Sequence, residues 1–299
     1  MLPDPVQTPR HHWFTDPEQY RVKVQTYTRL PPEVTVQRIS FERDVRAYRA
    51  AYDSGRSSAF PRRARRARPD PSAPRDEESI ERSQRRAKTG VRKAVTELAP
   101  DALVTLTTRE VMPLNDLLWV FQHFTRGLRR IIDFEYVAVP ERHPTNPDHL
   151  HIHMAYRGRV NISVIRRMWH IALEARKGRR VTCILRGSES PGNIDVQKVK
   201  ARDGIRRVRK IARYISKYIT KDLIAEFNRR RYWPSKGINV HDARVYWLDS
   251  LTMTDAIREA CQLLGEWDYA AHAPGQKLFN PSDRVAWFAI DPDRTPPPF

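Results

Sequence analysis

The chain has 299 residues, with 54 Lys and Arg against 35 Asp and Glu, a formal net charge of +19. Such an excess calls for a polyanionic partner, and nucleic acid fits better than a membrane, because no apolar run approaches the roughly 20 residues of a transmembrane helix. Two cysteines, Cys183 and Cys261, exclude a disulfide framework and cannot make a zinc site alone, and the opening MLPDPVQTPRHHWF has no apolar signal core, so a reduced, cytoplasmic protein is expected.

Residues 1–60 read as irregular, apart from the alternation EVTVQRISF at 33–41, a candidate short strand. The stretch PRRARRARPDPSAPRDEE at 61–78 is too rich in Arg and Pro to bury apolar area and reads as a solvated linker whose arginines would grip phosphates nonspecifically. Helical spacing of Ile80, Ala87, Val91, Ala94 and Leu98 predicts a helix over 79–98, and the β-branched run ALVTLTT a strand over 102–108. An amphipathic helix is predicted over 114–132 after Pro113, then strands at 134–139 and 150–156. Asn161 is placed to cap a helix carrying Val164, Ile165, Met168, Trp169 and Ala172. A loop containing SESPGN leads to a strand near 194–199, followed by a helix over about 205–227. A strand at 244–248, a helix at 252–264 and a strand at 285–290 complete the reading. The middle order, strand–helix–strand–strand–helix–strand–helix, predicts an α+β fold: an antiparallel sheet with helices on one face and the other face open. The expected organisation is an N-terminal region with its linker (1–78), a central domain (79–228) and a C-terminal α/β extension (229–299).

Two strings carry chemistry. HLHIHMAY at 149–156 places His149, His151 and His153 at every second position, so on a strand the imidazoles share one face while Leu150, Ile152 and Met154 share the other. Neutral imidazoles on one strand face suit a divalent cation, with His151 and His153 the most economical pair. His149 is a third ligand, a phosphate contact or neither. Glu141, in YVAVPERH, would supply a carboxylate, with Glu135 as an alternative. An all-His site favours zinc; His with carboxylate and water favours Mg²⁺ or Mn²⁺.

The second string is ARYISKYITKDL at 212–223. At about 100° per residue, Val208, Ala212, Ile215, Ile219 and Leu223 form one apolar sector. Tyr214 falls far from that sector, Tyr218 near its border, and Lys217, Lys221, Arg207 and Lys210 lie on the tyrosines' side, a basic surface for DNA. A phenol becomes a nucleophile when it loses its proton, which neighbouring cations favour. Tyr214 and Tyr218 are therefore candidate nucleophiles toward a DNA phosphate, assisted by Lys217 and Lys221.

HIH at 151–153 and YISKYITK at 214–221, with LVTLTT at 103–108 preceding both, resemble in order and spacing the motifs of the HUH endonucleases, over roughly residues 100–225. The likeness is greatest to the initiators of single-stranded DNA phages, filamentous phages and rolling-circle plasmids. It implies a ferredoxin-like sheet with the HUH strand central, His151 and His153 as metal ligands, and Tyr214 and Tyr218 as nucleophiles forming a 5′-phosphotyrosine. The implied partner is single-stranded DNA at a replication origin, with no small-molecule substrate. No GxxxxGK[ST] string occurs, so a host helicase and polymerase would be needed. An HUH-type transposase or relaxase, or a non-catalytic DNA-binding regulator, are the alternatives.

Overall fold

The computed structural model describes residues 18–40, 77–143, 145–158, 160–197, 199, 204–219, 231–248, 250, 252–263 and 285–289. In chain order the elements are β1 (Glu18–Gln25), β2 (Glu33–Ser40), α1 (Glu77–Leu98), β3 (Ala102–Thr108), α2 (Leu114–Arg129), β4 (Glu135–Arg142) and β5 (Leu150–Arg157). There follow α3 (Ile162–Arg176), β6 (Gly192–Gln197), α4 (Gly204–Ser216), β7 (Trp233–Pro234), β8 (Arg244–Leu248), α5 (Met253–Leu263) and β9 (Val285–Ala289). Contacts divide the chain into two compact units, residues 71–240, and residues 1–70 with 241–299.

In the second of these units β1 and β2 form the centre of a sheet of order β8-β1-β2-β9. β1 was not anticipated: its segment, EQYRVKVQ, is charged enough to read as irregular. The strand persists because Tyr20, Val22 and Val24 alternate onto one face and are buried with Tyr246, Leu248 and Phe288. Both neighbours of the β1–β2 pair come from the far C-terminal region, a pairing with no local signature.

The unit of residues 71–240 is α+β, a five-stranded sheet of order β6-β3-β5-β4-β7 with every pairing antiparallel, consistent with a ferredoxin-like fold. β5, the histidine strand, lies at its centre. Helices cover both faces, which corrects the expectation of one open face. On one side Val104, Leu106, Ala138, Ile152 and Met154 pack against Leu117, Phe121 and Phe124 of α2 and Ile165 and Trp169 of α3. On the other, Leu103, Val137, Val139 and Ala155 pack against Val91, Val95 and Leu98 of α1 and Ile211 and Ile215 of α4. The reason lies in the β4–β5 strands: away from the histidines both faces are apolar, and an uncovered apolar face costs about 25 cal/mol per Å².

Several bounds also shift. β4 runs on to Arg142, so Glu141 belongs to the strand rather than to the loop after it. Asn161 caps α3 as expected, its Oδ1 accepting from Ser163 N at 2.8 Å.

Candidate active site

The central strand brings the histidines to the sheet face covered by α1 and α4. Antiparallel register sets Glu141 opposite His151, and His153 between Val139 on one side and Thr105 on the other. Cross-strand partners share a face, so Glu141, His151, His153 and Thr105 all project to one side.

His153 is the most fixed of these groups, 6% exposed. Its Nε2 lies 2.7 Å from Glu141 Oε2 and its Nδ1 3.1 Å from Thr105 Oγ1. An ionised carboxylate only accepts, so Nε2–H donates to Glu141 and Nδ1 accepts from the Thr105 hydroxyl. Thr105, which sequence reasoning placed in the first motif without a role, thereby sets the orientation of the ring. His151 sits with its ring 4.6 Å from that of His143, which accepts from the Thr145 amide at its Nδ1. Burial, then the His143 and His153 imidazoles, push His151 below the ordinary histidine value, with Glu141 opposing. His143 was missed in the sequence; the signal was its place two residues beyond Glu141 on the same strand period. His149 precedes β5 and contributes backbone, its carbonyl accepting from His143 N at 2.8 Å.

The two tyrosines converge on His153. The Tyr218 ring stacks on the imidazole, centroids 3.5 Å apart and planes within 5°. Tyr214 meets the Tyr218 ring edge-on at 5.1 Å. Both phenols are half-buried against the α1–α4 core. Burial first, then a hydrogen bond with Tyr214, the Tyr214 hydroxyl itself and the Glu141 charge hold the Tyr218 phenol well above the ordinary tyrosine range.

The tyrosines do not share one helix, as the spacing predicted. α4 ends at Ser216, and Lys217 N, Tyr218 N and Ile219 N bond back to the carbonyls of Tyr214, Ile215 and Ser216, three residues earlier. This tighter turn rotates Tyr218 away from its α-helical position and over His153. Gln84 of α1 pins the turn, its Nε2 donating to the Ile219 carbonyl at 2.9 Å.

Of the remaining candidates, Lys217 is exposed in this turn, while Lys221 lies outside the described residues. Lys210 is exposed on α4. Arg207 pairs with Asp101 at 3.6 Å, and Asp101 also accepts from Gly158 N at 2.9 Å. Those contacts place Arg207 beside the far end of β5 from His151. A basic surface not anticipated lies on α1, where Arg82, Arg85, Arg86, Thr89 and Lys93 line an open groove.

Among the described residues, no group of three or more His, Cys, Asp or Glu side chains is set to hold a metal ion. No described helix is long and apolar enough to cross a membrane. The donor chemistry at His153 nonetheless suits a divalent cation: an imidazole nitrogen and a carboxylate oxygen converge on one point, with a second imidazole, His151, across from that carboxylate.

A family model described as Replication-associated protein ORF2 matches residues 101–223. The match takes in β3, β4, β5 and α4 with every one of the converging side chains named above, and it is consistent with a rolling-circle replication-associated protein. No curated protein and no solved structure matches the chain.

Proposed function

We propose that this chain, whose residues 101–223 match the replication-associated family, starts rolling-circle replication by nicking one DNA strand at an origin through a tyrosine of the Tyr214–Tyr218 pair. The observation that carries the reading is the convergence of both phenols on the His153–Glu141 pair. In the proposed step the phenol oxygen attacks phosphorus and the P–O3′ bond breaks. The enzyme keeps the 5′-phosphate as a phosphotyrosine, and the departing 3′-oxygen takes up a proton and primes synthesis. The reverse attack by a 3′-hydroxyl rejoins the strand and restores the phenol. Two phenols permit two successive transfers without release of the strand.

His151, His153 and Glu141 would hold Mg²⁺ or Mn²⁺, which when bound neutralises charge on the phosphoryl oxygens. Thr105 would then accept from His153 Nδ1–H, fixing the ring with Nε2 toward the cation. Lys217 lies next to the nucleophiles to pair with the phosphate, and the groove on α1 offers guanidinium and ammonium groups to the strand on either side of the cut. The setting proposed is the cytoplasm of a bacterial host, with helicase and polymerase supplied by that host.

Incubation of the full chain with labelled single-stranded DNA and Mn²⁺, followed by a denaturing gel, tests the reading. The expected product is a DNA–protein adduct that is absent with EDTA. Tight DNA binding with no adduct on any substrate, origin DNA included, would instead make the chain a non-catalytic regulator.

A further inference from the structure

Helix α2 carries a surface that the nicking site does not use. Trp119 is 44% exposed, unusual for the largest aromatic, and the His123 ring stacks on it with centroids 5.2 Å apart and planes 16° from parallel. At about 100° per residue, Arg126 and Arg130 continue the stripe set by Trp119 and His123. Both arginines are exposed, and along the helix axis they lie about 10 and 16 Å beyond Trp119. Asp116, the one acidic residue of α2, is turned aside into an ion pair with Arg176 at 2.7 Å. Arg129 lies over the Tyr136 ring, its guanidinium carbon 5.5 Å from the ring centre, and so belongs to a different side of the helix.

A flat aromatic pair followed in line by cations, with no acid in the row, matches the chemistry of a single strand of nucleic acid. A base continues the stack, and the phosphates that follow meet the guanidiniums. An apolar protein partner would be met by more aliphatic surface and fewer charges. We infer that the Trp119–His123–Arg126–Arg130 face of α2 is a second binding site for single-stranded DNA, on the face of the sheet opposite Tyr214 and Tyr218. The choice of DNA rests on the replication reading; the stacking chemistry does not. Such a site would hold the same strand, or the displaced one, away from the nucleophiles during transfer.

The test uses the full chain and single-stranded DNA carrying 5-iodouracil, which crosslinks on irradiation to an aromatic ring stacked on it, with peptide mapping of the product. A crosslink on Trp119 is expected. It should persist in Tyr214→Phe/Tyr218→Phe, so a failed nicking mechanism and a failed α2 site remain distinguishable. Affinity for the same strand should fall about tenfold in Trp119→Ala and less in Trp119→Phe, as loss of one stacked base predicts. An oligonucleotide with abasic positions should not distinguish Trp119→Ala from the parent protein. Crosslinks confined to peptides outside α2, or equal losses on normal and abasic strands, would overturn the inference. So would unchanged DNA affinity in Trp119→Ala with an altered oligomeric state, which would assign the face to a protein contact.

Discussion

His153 is held from three directions, by Glu141, Thr105 and the Tyr218 ring, so small changes around it should have large effects on activity. His153→Ala and His151→Ala are each expected to abolish nicking while leaving DNA affinity nearly intact, because phosphate contacts elsewhere supply most of it. Cleavage at the parental rate by either variant in EDTA would refute the metal assignment. Thr105→Val should cost about 10- to 100-fold in activity or metal affinity, the usual effect of losing a partner of a ligating histidine. Rescue by Thr105→Ser would show that the hydroxyl rather than the methyl matters. For the tyrosines, burial and the hydrogen bond with Tyr214 make the Tyr218 phenolate harder to form than in free tyrosine. Tyr214→Phe is therefore the more damaging single change, Tyr218→Phe keeps some first-strand cleavage, and the double variant loses it. Peptide mapping of the adduct decides this: label confined to Tyr218 would reverse the assignment.

At the scale of elements, the β3–β6 edge contains a close approach that admits only glycine. A Cβ on Gly192 would lie 2.3 Å from the Thr107 carbonyl oxygen and 2.9 Å from Leu173 Cδ1, and the backbone atom cannot swing away. Gly192→Ala should destabilise the unit by about 1–3 kcal/mol, read from denaturant unfolding. His170, 1% exposed, joins α3 to this edge. Its Nδ1 accepts from Leu185 N at 3.1 Å, so its Nε2–H donates to the Gly192 carbonyl at 3.1 Å. Burial depresses its affinity for a proton, the Gly192 hydrogen bond partly opposing. The unfolded chain then takes up a proton that the folded chain excludes. This contribution to stability is complete above the ordinary histidine value of about 6.5 and is lost as pH falls through that region. Melting temperature should drop on acidification in the parent and drop less in His170→Asn; parallel curves would remove His170 from the account.

For the whole molecule, charge dominates. With a net charge of +19, single-stranded DNA binding should weaken steeply as salt rises. Deleting residues 61–68, the Arg-rich run that lies outside the described residues, should flatten the dependence of log K on log salt without moving the cut. A displaced cut site would mean that this run reads sequence. The side chains that converge on His153 all belong to the unit of residues 71–240, whereas the other unit draws its strands from both ends of the chain.

The features that the sequence determined by itself are those carried by local periodicity. The alternation of HLHIHMAY put His151 and His153 on one strand face, and the apolar spacing of α1, α2 and α3 marked those helices, because side-chain direction repeats with backbone geometry. The tyrosine helix shows where that logic stops. A wheel drawn through residues 205–227 assumes one unbroken helix, but the described helix closes at Ser216, and the contact of Tyr218 with His153 depends on the tighter turn and on Gln84, 135 residues away. Thr105 and His143 joined the site only when strand register set them beside His153 and His151. The covering of both sheet faces and the pairing of β1 and β2 with β8 and β9 were likewise decided in three dimensions, since burying apolar faces and satisfying strand edges are nonlocal requirements that no short window of residues records.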